Sequence, residues 1–200
     1  TWFGHYIEPA AFFPPEMHLT LKRRSTLRYG ENPHQKGAVY VAPECHGVSV
    51  LTAQQLSGKE LSYNNLLDLD SALAIVRPFD QPAASVIKHN NPCGAATATT
   101  LVDAAQKALA GDPQSAFGGV LAFNRPVDAA TAERLAEPGL FIEAIVAPSF
   151  DRAALEILTT RPKWKANVRL LAVGPLDAPA APLACRPVEG GMLVQEADVL

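Results

Sequence analysis

Apolar residues follow two different spacings along the 200-residue chain, and each spacing predicts a different element. The segments NLLDLDSALAIV and TLVDAAQKALAG repeat apolar residues three and four positions apart, which predicts helices over 65–76 and 100–111. Four short continuous apolar runs are typical of buried strands: GAVYVA (37–42), AASVI (83–87), GVLAF (119–123) and EAIVA (143–147). Strands and helices therefore alternate, which predicts an α/β fold around a layered sheet that is largely parallel or mixed.

Small polar residues mark the expected helix starts. Thr100 and Asp103 have capping-box spacing, and Asp128 and Asp151 precede two more short helix-like segments, where we expect them to be N-caps. Asp68 and Asp70 are expected in the early turns of their helix, where the helix dipole favours a negative charge.

Proline-rich segments predict the boundaries of the folded unit. Residues 1–26 have no clear periodicity and contain three prolines, so we interpret them as a connecting arm or the remnant of a preceding domain. Residues 27–200 then form the main unit. Within it, 174–187 contains four prolines, which predicts a loop or linker.

Composition describes an ordinary soluble globular protein, with 48% hydrophobic and 18% charged residues. A formal net charge of −3 argues against nucleic acid or an anionic membrane surface as the main partner. The sequence contains no apolar run near the roughly 18 residues that suggest a membrane span, and no signal peptide is expected.

Cysteine usage points to a reducing compartment. Cys45, Cys93 and Cys185 are odd in number and widely spaced, which favours free thiols in a cytoplasmic protein. The chain starts at Thr1 rather than Met, so we expect a fragment of a longer protein.

The segment IKHNNPCG (87–94) places Lys88 and His89 at the end of a predicted strand, with PCG expected to supply the turn. Ligands of open α/β sheets bind at such strand ends. The Lys88 ammonium disfavours a second positive charge beside it, so a neutral His89 able to accept a proton is expected. A surface lysine followed by a hydrogen-bonded histidine explains the same residues, and the segment alone leaves both interpretations open.

Two further segments suit a nucleotide. LRYGENPHQ (27–35) concentrates donors around a turn, and Arg28 beside Tyr29 could make paired hydrogen bonds to a phosphate; a solvated loop is the alternative. SAFGGVLAFN (115–124) places Phe117 and Gly118 before a strand, where an exposed ring could stack on a base. A tight turn with a core phenylalanine is the commoner explanation.

A metal site is not expected. Cys93 and His89 form one Cys–His pair, and without a second pair they do not complete a tetrahedral zinc site.

Taken together, LRYGENPHQ, LSYNNLLDLDSAL, VIKHNNPCG, SAFGGVLAFNRPVD and FIEAIVAP resemble one family. It is the transformylase domain of the bifunctional phosphoribosylaminoimidazolecarboxamide (AICAR) formyltransferase/IMP cyclohydrolase proteins. The resemblance covers the chain from about Phe13 to its end. It implies a cytidine deaminase-like, three-layer α/β/α sandwich with a mixed sheet, of which residues 27–200 are the N-terminal half. The cyclohydrolase domain would be represented at most by residues 1–12.

The resemblance also implies an activity. These enzymes transfer a formyl group from 10-formyltetrahydrofolate, their co-substrate, to the 5-amino group of AICAR. His89 would remove the proton of that amine, and Lys88 would stabilise the developing oxyanion or the departing folate nitrogen. A second half would add nucleotide and folate contacts, partly across a homodimer interface.

Family matching implies six residues of the nucleotide site. Arg28 and Tyr29 would hold the nucleotide, and Asn65, Phe117, Gly118 and Glu143 would line its base and ribose. Glu143 stands where some relatives carry Asp, which changes the reach of the carboxylate.

Two other functions are open at this stage. A non-catalytic nucleotide-binding half-domain would keep phosphate contacts without turnover. A zinc-dependent deaminase, suggested by fold analogy, would need paired cysteines and an H-x-E element that the sequence lacks.

Overall fold

The computed structural model describes residues 13–43, 47–165, 167–177 and 183–198. Five helices lie within these residues: α1 (Tyr63–Val76), α2 (Leu101–Gly111), α3 (Pro113–Ala116), α4 (Ala129–Leu135) and α5 (Arg152–Thr160). The ten described strands are β1 (Lys22–Leu27), β2 (Gly37–Val41), β3 (Gln54–Ser57), β4 (Ala83–Lys88), β5 (Asn91–Thr97), β6 (Gly119–Phe123), β7 (Ile142–Ala147), β8 (Arg169–Ala172), β9 (Leu183–Val188) and β10 (Gly191–Glu196).

Six strands form the central sheet in the order β3-β8-β7-β6-β4-β5. The neighbours β6, β7 and β8 run parallel, whereas β3, β4 and β5 join by antiparallel pairing. The predicted mixed sheet is therefore confirmed. Two antiparallel hairpins, β1–β2 and β9–β10, stand apart from it.

Helices cover both faces of this sheet. On one face the apolar stripe of α1, including Leu69 and Leu73, packs against β4, β6 and β7. On the other face α2, α4 and α5 cover residues such as Val86, Leu121 and Ile145. The strands alternate between these two cores because successive strand side chains point to opposite faces. The result is an α/β/α arrangement; the cytidine deaminase-like label stays a prediction.

All four strands that were predicted from apolar runs are present, but two proline-rich segments were misinterpreted. Strand β1 begins at Lys22, inside the segment read as an arm without regular structure. Residues 1–12 of that arm lie outside the described residues, and the domain boundary stays a prediction. The loop predicted over 174–187 is wrong from Leu183 onward, because β9 starts there. Pro187 is tolerated because a two-stranded hairpin leaves each strand with an unpaired edge.

The turn expected at PCG is also misplaced. Lys88 pairs with Asn91, so the turn consists of His89 and Asn90 alone, and both have positive φ (52° and 59°). Residues 92–94 belong to the edge strand β5, with a bulge at this point. Gly94 is needed because a Cβ there would lie 2.1 Å from the carbonyl oxygen of Ala108, where β5 meets the backbone of α2.

The helix starts agree with most of the capping expectations. The Thr100 and Asp128 side chains accept hydrogen bonds from the backbone N–H three residues on. Asp151 occupies the N-cap of α5 but makes no side-chain capping bond. Helix α1 begins at Tyr63, two residues before the predicted start, so Asp68 and Asp70 lie beyond its first turn, which has no acidic residue.

None of the helices described is long and apolar enough to span a membrane.

Candidate active site

The candidate site lies at one edge of the central sheet. Because β4 runs antiparallel to β6, the end of β4 at Lys88 shares this edge with the starts of β6, β7 and β8. The Lys88 Nζ donates a hydrogen bond of 2.7 Å to the carbonyl oxygen of Phe117, just before β6. Strand ends therefore bring these two sequence-predicted residues into contact.

His89 occupies the first position of the two-residue turn between β4 and β5. Its imidazole is exposed, and its carbonyl oxygen accepts a 2.8 Å hydrogen bond from the side-chain nitrogen of Asn91. The next residue, Asn90, is attached to α1: its backbone N–H donates to Asp68 Oδ1 at 2.6 Å, and its side-chain oxygen accepts from the Ser71 hydroxyl. The turn thus exposes His89 to solvent while the bonds of Asn90 to α1 hold the turn in place.

Glu143 lies at the start of β7, between two polar partners. The buried Asn65 donates to Glu143 Oε1 at 3.0 Å, and Arg169 Nη1 lies 3.3 Å from the same oxygen. Arg169 also donates to the carbonyl oxygen of Glu60 at 3.1 Å. Charge-assisted hydrogen bonds of this kind fix the orientation of a carboxylate, so Glu143 is held in place before any ligand binds.

Arg28 and Tyr29 lie in the loop between β1 and β2. The Arg28 guanidinium carbon is 5.7 Å from the centroid of the Tyr29 ring, a cation–π distance. Arg28 also lines a cleft of about 410 Å³, together with Arg24 of β1 and residues near the start of α1. The Asn64 side chain donates to the Glu31 carbonyl oxygen at 3.3 Å, which joins the loop to α1 beside Asn65.

Phe117 and Gly118 form the turn that precedes β6. Phe117 is 55% exposed, so the expectation of a core phenylalanine is wrong. Its ring lies beside Phe141, with the ring centroids 5.5 Å apart. Gly118 has φ +78°, a conformation that favours glycine, and its N–H donates to the Phe141 carbonyl oxygen at 2.7 Å. The exposed ring remains available for stacking.

The predicted residues fall into two groups that share α1. One group holds Lys88 at the end of β4 and His89 in the turn, with Phe117 and Gly118. The other holds Asn65 with Glu143 and adjoins the loop of Arg28 and Tyr29. No hydrogen bond within the described residues joins Arg28 to Lys88 or His89.

Cys93 is not prepared as a nucleophile. Burial raises the pKa of its thiol, the Asp112 and Asp68 carboxylates raise it further, and the Lys88 ammonium opposes them. A raised pKa keeps the group a neutral thiol, and the thiolate is the nucleophilic form. Among the residues that the structure describes, no cluster of three or more His, Cys, Asp or Glu side chains could hold a metal ion.

Sequence reasoning missed four polar residues of this region: Asp68, Ser71, Asn90 and Arg169. A signal was present for two of them. Asn65, Asp68 and Ser71 are spaced by three residues and form a polar stripe along α1. Asn90 and Arg169 had no comparable signal, because their partners are distant in the sequence.

The family model of the AICARFT/IMPCHase bienzyme matches residues 1–200. The chain belongs to this family.

Curated relatives agree with this assignment. The chain is 61% identical over 186 residues to the bifunctional purine biosynthesis protein PurH of Rhodopirellula baltica, covering 93% of this chain and 36% of the relative. PurH of Persephonella marina is 48% identical (93% of this chain, 35% of the relative). PurH of Lacticaseibacillus casei is 47% identical (97% and 37%). The chain thus spans about a third of the length of these relatives.

Proposed function

We propose that this chain acts in purine biosynthesis, as part of an enzyme that transfers a formyl group from 10-formyltetrahydrofolate to the 5-amino group of AICAR. The observation that carries the proposal is the end of β4, where Lys88 is held by its bond to the Phe117 carbonyl and the next residue, His89, is exposed in the turn at the sheet edge. Membership of the bienzyme family and relatives named for purine biosynthesis support it.

His89 is the general base in this proposal. The 5-amino group of AICAR is a poor nucleophile because its lone pair is delocalised into the imidazole ring and the carboxamide. The amine therefore needs to lose a proton as it attacks the formyl carbon, and the His89 imidazole takes that proton. Its exposure at the tip of the hairpin makes it accessible to a substrate.

Lys88 stabilises the negative charge that develops during transfer. Attack on the formyl carbon places charge on its oxygen, and an ammonium held in a fixed position lowers the energy of that state. The hydrogen bond from Lys88 to the Phe117 carbonyl fixes the side chain in advance. An ammonium group has three donors, so the others can point to the reacting oxygen or the departing folate nitrogen.

The nucleotide occupies the rest of the sheet edge. Arg28 binds the phosphate from the cleft between the β1–β2 hairpin and α1, with Tyr29 beside it. Asn65 and Glu143 contact the ribose or base, and the exposed Phe117 ring with Gly118 lies against the heteroaromatic part.

The remaining parts of the enzyme come from outside these 200 residues. Because the chain spans about a third of its relatives' length, we propose that a second α/β half completes the folate site, partly across a homodimer interface. Formyl transfer needs both substrates in near-attack geometry, so the chain alone should bind nucleotide weakly and transfer no formyl group. We expect the whole enzyme to act in the cytoplasm.

The test uses a hybrid enzyme, in which residues 1–200 replace the segment that matches them in the Rhodopirellula baltica relative. Release of tetrahydrofolate from 10-formyltetrahydrofolate is followed with AICAR present, and without AICAR as the control. AICAR-dependent turnover by the hybrid, with none by the 200-residue chain, is the expected result. A folded hybrid that binds AICAR without turnover would instead favour the non-catalytic nucleotide-binding half-domain.

A further inference from the structure

The His89–Asn90 turn has positive φ at two consecutive non-glycine residues, a conformation that His and Asn adopt more readily than most residues but less readily than glycine. Two-residue hairpin turns with positive φ at both positions are commonly Asn-Gly, because glycine adopts this conformation without steric cost. Here the positions hold His89 and Asn90, with φ of 52° and 59°. Contacts from outside the hairpin would therefore stabilise this conformation further.

Helix α1 supplies these contacts. Asp68 Oδ1 accepts the backbone N–H of Asn90 at 2.6 Å, and the Ser71 hydroxyl donates to the side-chain oxygen of the same residue. The acceptor is a carboxylate, so the first bond is charge-assisted and stronger than one between neutral groups. Asp68 and Ser71 lie three residues apart and so face the hairpin from successive turns of the helix.

The helix itself is a rigid support for these bonds. The side chains of Leu69, Ala72 and Val76, which follow Asp68, are fully buried against the sheet. An additional sign that the Asp68 carboxylate faces the hairpin comes from Cys93 on β5. Burial raises the pKa of that thiol first, and the charges of Asp112 and Asp68 raise it further against the opposing effect of Lys88.

We infer that Asp68 is a positioning residue for formyl transfer, because it holds the turn that carries His89 in the orientation needed to reach the amine. Ser71 assists it through the side chain of Asn90. The inference rests on the proposed function for its catalytic meaning. A base displaced by about 1 Å from its productive position can cost on the order of 100-fold in rate, so the orientation of this turn matters for turnover.

The structural part is tested in the 200-residue chain by hydrogen exchange of the Asn90 amide, measured by NMR. Asp68→Ala should accelerate this exchange by at least about tenfold, because the amide loses a charge-assisted acceptor. Asp68→Asn keeps a neutral oxygen acceptor and should give an intermediate rate. Asp70→Ala is the matched control, because Asp70 lies on the same helix and makes no hydrogen bond to the described residues. Part of its residue surface is exposed, but burial of the carboxyl raises its pKa, and its removal should not change the exchange rate of Asn90.

The catalytic part is tested in the hybrid enzyme. Asp68→Ala should lower kcat by about 10- to 100-fold and change the KM for AICAR by less than about threefold, because the turn and not the nucleotide site is disturbed. Asp68→Asn should recover most of the lost kcat, and Asp70→Ala should match the parent. If Asp68 had a purely structural role, Asp68→Ala would reduce the amount of folded enzyme, and the folded fraction would keep the kcat of the parent.

The two measurements separate the inference from the proposed function. An unchanged exchange rate in Asp68→Ala, or a kcat within about threefold of an active parent, would overturn the inference. An inactive parent hybrid would contradict the proposed function, and the exchange rates would then decide alone whether Asp68 holds the turn. If Asp68→Ala does not fold, Asp68→Asn carries both tests, with a smaller expected change.

Discussion

The ammonium nitrogen of Lys88 lies 2.7 Å from the carbonyl oxygen of Phe117, which joins the end of β4 to the turn that begins β6. This bond fixes a long, flexible side chain without neutralising it, since a carbonyl carries no net charge. Lys88 thus holds its side-chain nitrogen in a defined position, as a group that stabilises a developing anion must.

Replacing Lys88 with methionine tests this role. The two side chains have similar length, so Lys88→Met removes the charge and the donors with little change in shape. In the hybrid enzyme we expect kcat to fall by about 10²- to 10³-fold, the usual cost of losing one oxyanion donor. Lys107→Met, on the exposed side of α2, is the control and should keep full activity. A kcat equal to that of the parent would exclude Lys88 from charge stabilisation.

His89→Asn tests the general base without disturbing the turn. Asparagine tolerates positive φ better than alanine does, so the backbone conformation at this position is preserved. Steady-state kinetics of the hybrid should show kcat reduced by roughly 10²-fold or more, with much less effect on nucleotide binding. His18→Asn, at an exposed position, should be neutral. Turnover within about threefold of the parent in His89→Asn would rule out the assignment of the base.

The Arg28→Ala substitution should weaken the binding of a ligand that carries the phosphate group more than the binding of one that lacks it. If the guanidinium binds the phosphate, the variant should lose about 1.5–3 kcal/mol of binding free energy for AICAR monophosphate and much less for the riboside. Calorimetry on the hybrid measures both affinities. Arg23→Ala, an exposed residue of β1 outside the cleft, serves as the control. Equal losses for both ligands would place the phosphate elsewhere.

Gly94→Ala should destabilise the fold strongly. The added Cβ would lie 2.1 Å from the Ala108 carbonyl oxygen, and backbone of α2 cannot move aside as a side-chain end can. Thermal and denaturant unfolding should show a loss of about 3 kcal/mol or more. Gly191→Ala, where a Cβ meets no atom within 4 Å, should change the free energy of unfolding by less than about 0.5 kcal/mol. Similar stabilities of the two variants would contradict the close approach of β5 and α2.

Asp112 should make stability depend on acid pH. Hydrogen bonds from the Ser115 side chain and backbone lower the pKa of Asp112 below its usual range, against a smaller opposing effect of burial. Its stabilising contribution is therefore complete above the unfolded-state pKa and is lost as pH falls through the lower folded-state value. The difference in Tm between the parent and Asp112→Asn should be constant from about pH 7 to 5 and shrink below about pH 4. A difference that stays the same down to about pH 3 would contradict this role.

The sequence was most informative where the burial of a strand or helix produces a clear pattern of apolar residues within that element. The runs that became β4, β6 and β7 are buried on both faces, and continuous apolar segments are the expected pattern for such strands. Strand β1 was missed because all but one of its residues are exposed, so no apolar pattern marks it. Strand β8 was missed because it has only four residues, of which two are fully buried, and so short an apolar run does not stand out in the sequence.

The candidate site was predictable to a similar extent. Residue chemistry identified the Lys88–His89 pair, and family resemblance added Asn65 and Glu143. The Asn65–Glu143 bond joins residues 78 positions apart, so their pairing could not follow from local pattern. The turn was misplaced because Asn-Pro-Cys-Gly has the composition of a turn, whereas tertiary bonds to α1 select His89 and Asn90 instead.

Helix α1 carries both Asn65, which donates to Glu143, and Asp68, which accepts from the backbone of the His89–Asn90 turn. One rigid helix therefore positions both contacts. Residues in an α-helix advance by about 1.5 Å each, so the two side chains keep a spacing of roughly 4.5 Å along the axis. A small axial shift of the helix would move the partner of Glu143 and the partner of the His89 turn together, in the same direction. If the proposed function holds, the spacing between the groups that orient Glu143 and those that hold the turn of His89 would stay constant during such a shift.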